Sequence, residues 1–345
     1  MRLLIAASNL GTNGAVVYAE RLIPLLQAAG HDVWLAAETG SWIEQKLAGK
    51  VPHLPTTFRR WPLDEVDRMA ALCRRERIDL VHSHLTSSSN FAAVLRHFHG
   101  IRSVAHLHAS QPRLHTGFHD QLIAVSADVA RRQACFPWNW ARPVTVLTNC
   151  VDSERFRPAS ADAPDRLRAA VGVGPATPVI ALIGAISRRK GQDLGARAFA
   201  ALRRRRPDAV LAVIGEGALP ADAPMEGVRM LGFRDDVDAL LPHASAVIVP
   251  SREEPFGLAA IEAMACGVPV VGFAVGGLRE VLAGGAGLAI PPQDTEAMAA
   301  ALAGLLSEGA QARAQAEAGR RAVTARYSPA AHVAELGAIY RRALA

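Results

Sequence analysis

Lysine is almost missing from this chain. It occurs only as Lys46, Lys50 and Lys190, so arginine supplies nearly all of the 38 basic residues. Aromatic side chains are scarce at 5%, and no nucleic-acid-binding module is legible, which argues against an RNA or DNA partner. The four cysteines, Cys73, Cys135, Cys150 and Cys266, are scattered with no CxxC pair. That excludes a disulfide framework and fits free, buried thiols in a reducing compartment. No run of about 20 residues is cleanly apolar. The longest candidate, 256–277, is interrupted by Glu262, Pro269 and glycines. The opening MRLLIAASN has too short an apolar core for a signal peptide and reads as a first β-strand. The expected location is the cytoplasm. There is no HExxH, and the loop Gly11–Gly14 is not the GxGxxG of dinucleotide-binding folds, which argues against an NAD-dependent oxidoreductase.

What remains is ordinary globular composition, 50% hydrophobic and 20% charged over 345 residues, enough for two domains. The charge is uneven. Up to Arg157 there are 18 basic against 13 acidic residues, a balance of +5, and the remainder has 20 against 19. A basic first half suits contact with an anionic membrane, although a solvated surface explains it equally well.

Short apolar runs alternate with helical patterns, the signature of parallel sheets with helical crossovers. The first set is 3–8, 32–38, 80–84, 103–109, 122–126 and 144–149. A helix is expected over 15–29, closed by Gly30. The pattern lapses over 152–178, rich in Pro, Asp and Ala, and begins afresh with 178–185, 209–216, 228–233, 245–251, 269–273 and 287–292. The stretch 294–344 reads as helical, with Leu336 and Tyr340 on one face. The expected fold is α/β: two doubly wound Rossmann-like domains, 1–160 and 161–328, facing a cleft. A C-terminal helix over 329–345 is expected to pack back on the first domain. Ligands in such sheets bind at the carboxyl ends of the strands.

The segment EEPFGLAAIEAMACG, 253–267, places a carboxylate, Glu262, inside an otherwise apolar helix and another, Glu254, just before it. A buried carboxylate needs a partner. Gly257 at the helix start lets a ligand approach free N–H groups, an arrangement suited to a phosphate or diphosphate. Glu262, one turn after Leu258, suits hydroxyl donors such as a ribose diol. A protein partner, an arginine or a neighbouring loop, is the alternative.

SREEPFGLAAIEAMACGVPVV resembles the EX7E region of the family-4 retaining glycosyltransferases of GT-B fold. LIGAISRRKGQD, VIGEG, LGFRDDV and PVVGFAVGGLREVLAGGAGLAIPPQD follow in that family's order, and LTNCVDSERFRP, VAHLHA and GTNGAVVYAERL match its first half, so the resemblance covers nearly the whole chain. It implies that Glu254 contacts the donor sugar. Phe256, Gly257 and Leu258 would place backbone amides near the sugar and diphosphate. Glu262 would hold the ribose, and Lys190 would neutralise the departing diphosphate. Gly232 and Phe233 would lie near the base, His108 near the transferred sugar, and Asn13 and Gly14 beside the acceptor and phosphates. The resemblance implies no metal and no cofactor beyond a UDP-, GDP- or ADP-sugar. Ala185 stands where the family has an arginine, leaving Arg188 or Arg189, with Arg189 preferred, to supply the second cation. Cys150 stands where the motif has glycine.

Two further features have residue-level readings. The pairs His82/His84, His97/His99 and His106/His108 could each offer a zinc ligand. With no carboxylate at metal-site spacing, packing on one strand face is the preferred reading. Arg203–Arg206 ends the helix begun after Lys190, where cations suit the helix dipole. The function expected is transfer of a sugar, with retention, from a nucleotide-sugar donor to a glycan or lipid-linked acceptor. The setting expected is lipopolysaccharide, exopolysaccharide or other envelope-glycan synthesis at the inner membrane face. The alternatives are a nucleotide-sugar epimerase or hydrolase on the same fold, and a non-catalytic nucleotide-sugar binder.

Overall fold

The computed structural model describes all residues except 59–62, 112, 137–143 and 161. The chain divides into two compact units, Met1–Asn149 with Pro329–Ala345, and Cys150–Ser328.

In the first unit the strands are β1 (Arg2–Ala7), β2 (Asp32–Ala37), β3 (His53–Pro55), β4 (Leu80–His84), β5 (Ser103–Leu107), β6 (Gln121–Ala124) and β7 (Val144–Val146). They form one parallel sheet in the order β3-β2-β1-β4-β5-β6-β7. The crossovers carry α1 (Gly14–Ala28), α2 (Trp42–Leu47), α3 (Leu63–Arg75), α4 (Thr86–His99) and α5 (Ala127–Ala134). β1, β4 and β5 are buried almost throughout, because helices cover both faces of the sheet. β3 is a short edge strand that escapes the apolar-run pattern. Its three residues alternate in no readable way and owe their geometry to pairing with β2.

The second unit begins with α6 (Arg166–Val171) and contains β8 (Val179–Ile183), β9 (Val210–Ile214), β10 (Val228–Gly232), β11 (Ala246–Val249), β12 (Val270–Phe273) and β13 (Leu288–Ile290). These too form a parallel sheet, ordered β10-β9-β8-β11-β12-β13. Its further helices are α7 (Gln192–Arg203), α8 (Val237–Leu240), α9 (Leu258–Ala265), α10 (Gly276–Leu282), α11 (Thr295–Ser307) and α12 (Gly309–Arg326). α13 (Pro329–Leu344) belongs to the first unit, where Leu336, Ile339, Tyr340 and Ala343 join the core built by β1, β2 and α1.

The boundary falls at 149/150, eleven residues before the 160/161 read from composition. The Pro- and Asp-rich stretch is no free linker at its start. Val151 and Phe156 are buried to 1% exposure. Val151 N–H donates to the Tyr327 carbonyl, and the Arg155 guanidinium meets Asp238 at 2.8 Å, all within the second unit. Composition marks polarity, and two apolar anchors override it. Cys73 and Cys266 are buried free thiols, but Cys135 is exposed and Cys150 half-buried, so the expectation of four buried thiols does not hold.

Candidate functional site

In each sheet the strand order reverses once, between β1 and β4 and between β8 and β11. The loops leaving two such neighbouring strands diverge to opposite faces and open a crevice at their carboxyl ends.

In the second unit those loops are 184–191 and 250–257. They touch. A Cβ on Gly191, whose φ is +67°, would lie 2.0 Å from the Pro250 carbonyl oxygen, so only glycine allows the approach. A Cβ on Gly215 would lie 2.1 Å from the Gly184 oxygen. The loop 184–191 is tied down by buried Gln192, whose side-chain amide donates to the carbonyls of Gly184 and Ala185 and accepts from Ser187 N–H. Arg252 clamps it from the other side, donating to the Arg188 carbonyl and bidentately to Asp193 at 2.6–2.7 Å. That guanidinium holds the Asp193 carboxyl below the usual range.

The tie brings Lys190 to Glu254. Nζ donates to Oε2 at 2.6 Å, and Ser251 Oγ donates to the same oxygen at 3.1 Å. Glu254 is 5% exposed. Its backbone carbonyl accepts from Gly277 N–H at the start of α10. Gly257 caps α9 at φ +111°, where a Cβ would press on the Leu278 side chain at 2.9 Å. The N-terminus of α9 thus has no side-chain cap, and Glu254 with its Lys190 partner precedes it by one short loop. Phe256 is buried against Tyr327, and Leu258 is half-exposed at the first helical position. Glu262 is 7% exposed, one turn on. Burial and the Glu262 carboxylate push the Cys266 thiol up to about 12.

The remaining second-unit candidates sit around this point. Arg189 is exposed and donates to the Glu253 carbonyl at 3.3 Å, while Arg188 is exposed on the same loop. Gly232 has φ +65° and accepts from Gly215 N–H, and Phe233 beyond it is 45% exposed. Arg203, Arg204 and Arg206 pair with Glu226, Glu296 and Asp208 at the end of α7, as a solvated helix terminus does. Cys150 is not among the positive-φ residues, so the loss of the motif glycine strains nothing.

In the first unit, Asn13 caps α1. Its Oδ1 accepts from the N–H groups of Ala15 and Val16 at 3.0 and 3.1 Å, and Gly14 is the first helical residue. His108 follows β5, and its Nε2 lies 3.0 Å from His84 Nδ1. The i,i+2 pairs on β4 and β5 converge on one face, because His84 is in register with His106. His97 and His99 stand apart on α4, where His99 meets Asp67 and His97 packs against Phe98 and Phe118. Tyr18, Tyr340 and His332 complete the histidine cluster. Tyr340 OH lies 2.7 Å from His82 Nδ1, and Tyr18 OH 2.7 Å from His332 Nε2. Burial drives the His82 and His108 pKa values down to about 3 and that of His332 to about 4, and pushes His84 and His106 well below normal.

Sequence reading missed Ser251, Gln192 and Arg252, which position Glu254 and Lys190. Their signal is weak, since each is a common polar residue whose role depends on a loop from another strand. It also missed the tyrosine partners of the histidines, although Tyr340 was placed on the correct helix face.

The comparisons with known proteins agree with this geometry. The model described as Glycosyltransferase Family 4 matches residues 12–155, and that described as Glycosyl transferases group 1 matches 177–308. A glycogen synthase of Mycobacterium tuberculosis is 30% identical over 281 residues, 73% of this chain and 66% of that protein. A D-inositol 3-phosphate glycosyltransferase of Saccharomonospora viridis is 34% identical over 298 residues, 72% of this chain and 68% of that protein. The match thus spans about two-thirds of the length of these relatives. HepE from Anabaena, solved in complex with UDP-glucose, superposes with a TM-score of 0.85 at 18% identity, covering 98% of both chains. Two doubly wound parallel sheets and these matches together show that the chain belongs to the family-4 glycosyltransferases of GT-B fold.

Proposed function

We propose that the protein is a retaining glycosyltransferase that moves a sugar from a nucleotide-sugar donor to a glycan or glycolipid acceptor in envelope-glycan synthesis. The observation that carries the reading is the start of α9. Gly257 starts it with no side-chain cap, three residues after the Glu254 that pairs with Lys190 at the sheet's switch point. The relatives' names support transfer, and the HepE complex supports a nucleotide-sugar donor.

In this reading the donor diphosphate sits at the α9 terminus and Lys190 leaves Glu254 to meet it. Lys190 then stabilises charge as the sugar–phosphate bond breaks. Arg189, on the same loop, adds the second cation that Ala185 lacks. Glu254, released, accepts from the sugar hydroxyls, Glu262 holds the ribose, and Gly232 and Phe233 border the base. His108, Asn13 and Gly14 serve the transferred sugar and acceptor. Retention proceeds on the front face: the departing diphosphate oxygen takes the acceptor hydroxyl proton, and no protein carboxylate serves as nucleophile. No metal takes part in that step. Peripheral contact with an anionic membrane brings a lipid-linked acceptor within reach.

A thermal-shift screen of UDP-, GDP- and ADP-sugars tests the donor site, since a bound nucleotide raises the melting temperature. One donor class should shift the wild type and not Glu254→Ala. Product NMR should show the donor's anomeric configuration kept. Release of free sugar or epimer without acceptor, at the rate seen with acceptor, would overturn transfer.

A further inference from the structure

The buried face of β4 and β5 holds more unused chemistry than the proposed transfer needs. His82, His84 and His106 are 0–3% exposed, and their candidate ligand atoms lie within 4.8 Å of one another. Four of their ring nitrogens, His82 Nε2, His84 Nε2 and both of His106, have no hydrogen-bond partner among the described residues. The other two are engaged. His82 Nδ1 meets the Tyr340 hydroxyl and His84 Nδ1 meets His108 Nε2. So two rings are held by their Nδ1 atoms with Nε2 left over, and the third has both nitrogens available. This is the arrangement of metal-ligating histidines, whose second nitrogen is fixed by an outer partner.

We propose that His82, His84 and His106 form a binding site for one transition-metal cation of the zinc class. The ligand set selects the ion. Three neutral imidazoles with no carboxylate suit Zn2+, Co2+, Ni2+ or Cu2+ and reject Mg2+ and Ca2+, which take oxygen ligands. Nitrogens around tetrahedral zinc stand about 3.3 Å apart, from Zn–N bonds of about 2.0–2.1 Å, so binding draws the three rings inward by at most about 1.5 Å. The rings are already neutral in the folded protein, because burial holds all three pKa values far below 7, and metal uptake at neutral pH displaces no proton from an imidazolium. Metal on His84 Nε2 leaves the proton on Nδ1, which donates to His108 Nε2. The ion thereby selects the His108 tautomer that carries its proton on Nδ1. It also joins β4, β5 and, through Tyr340, α13. The proposal departs from the packing reading of the histidine pairs and from the expectation of no metal, on the ground of convergence across two strands.

The test uses the untagged, full-length chain, freed of metal by chelation and titrated with Co2+ and then Zn2+. One equivalent of Co2+ should give the visible absorption of a tetrahedral nitrogen site, Zn2+ should displace it, and the melting temperature should rise. His106→Gln and His82→Gln should each lose the spectrum, and His97→Gln should keep it. Tyr340→Phe keeps all three ligands and removes only the outer partner, so it should weaken Zn2+ binding by roughly tenfold or more. X-ray absorption of the Zn2+-loaded wild type should show about three imidazoles, which needs no variant to fold. Absence of a tetrahedral Co2+ spectrum in the wild type overturns the site, as does a spectrum that survives both ligand substitutions.

Discussion

Lys190 and Glu254 are 64 positions apart in sequence, yet Nζ donates to Oε2 at 2.6 Å. Each was read separately, one for the diphosphate and one for the sugar, and the structure pairs them. Glu254 is buried and also accepts from Ser251, so removing Lys190 leaves a partly satisfied carboxylate rather than a bare one. Lys190→Ala should therefore cost about 1–3 kcal/mol of stability. The Lys190→Ala/Glu254→Gln pair should recover most of that loss in urea unfolding while activity stays absent. Additive losses in the double variant would contradict the pairing. Glu254 and Glu262 were legible because carboxylates are conspicuous in an apolar segment. Ser251 and Gln192 were not, because a serine or glutamine gains its role only from what another loop brings to it.

At the scale of elements, the loops after β8 and β11 depend on bare backbone. Gly191→Ala places a methyl group 2.0 Å from the Pro250 oxygen at a φ of +67°, so the two loops must separate. The expected result is loss of the donor-induced thermal shift together with a lower melting temperature. Gly232→Ala meets nothing within 4 Å and should cost only its own backbone strain. The strands themselves were readable to within a few residues, as buried parallel strands are continuous apolar runs bounded by turns. Only β3 was not, for lack of any such run. The histidine cluster gives β4, β5 and α13 a shared acid sensitivity. The His82, His108 and His332 pKa values are lowered to about 3, 3 and 4, against about 6.5 unfolded. Below pH 6.5 the unfolded chain takes up protons that the folded chain refuses. Stability present at pH 7 is then lost progressively as the pH falls below about 6.5. Urea midpoints of metal-free protein should fall steadily from pH 7 to pH 5, and an unchanged midpoint at pH 5 would rule the account out.

At the scale of the whole molecule, the second unit is contiguous and the first is not. Residues 329–345 return to the first unit and place Leu336, Ile339, Tyr340 and Ala343 in its core. A chain stopped at Ser328 should keep the donor-dependent thermal shift of the second unit. Its first unit should unfold or aggregate, for loss of Tyr340 alone from a full core costs about 3–5 kcal/mol. No helix among the described residues is long and apolar enough to cross a membrane. The peripheral membrane contact proposed above predicts that binding to anionic vesicles weakens with salt; no binding at low salt would count against it. By itself the sequence determined the α/β class, the restart of the strand pattern in the second half and the glycine-capped helix carrying Glu262, with Glu254 just before it. All of these are written in local periodicity and local residue type. Tertiary structure alone decided the boundary at 149/150, the pairing of Lys190 with Glu254 and the meeting of three histidines from two strands. Those depend on register and on loops from distant strands, which no local window of sequence contains.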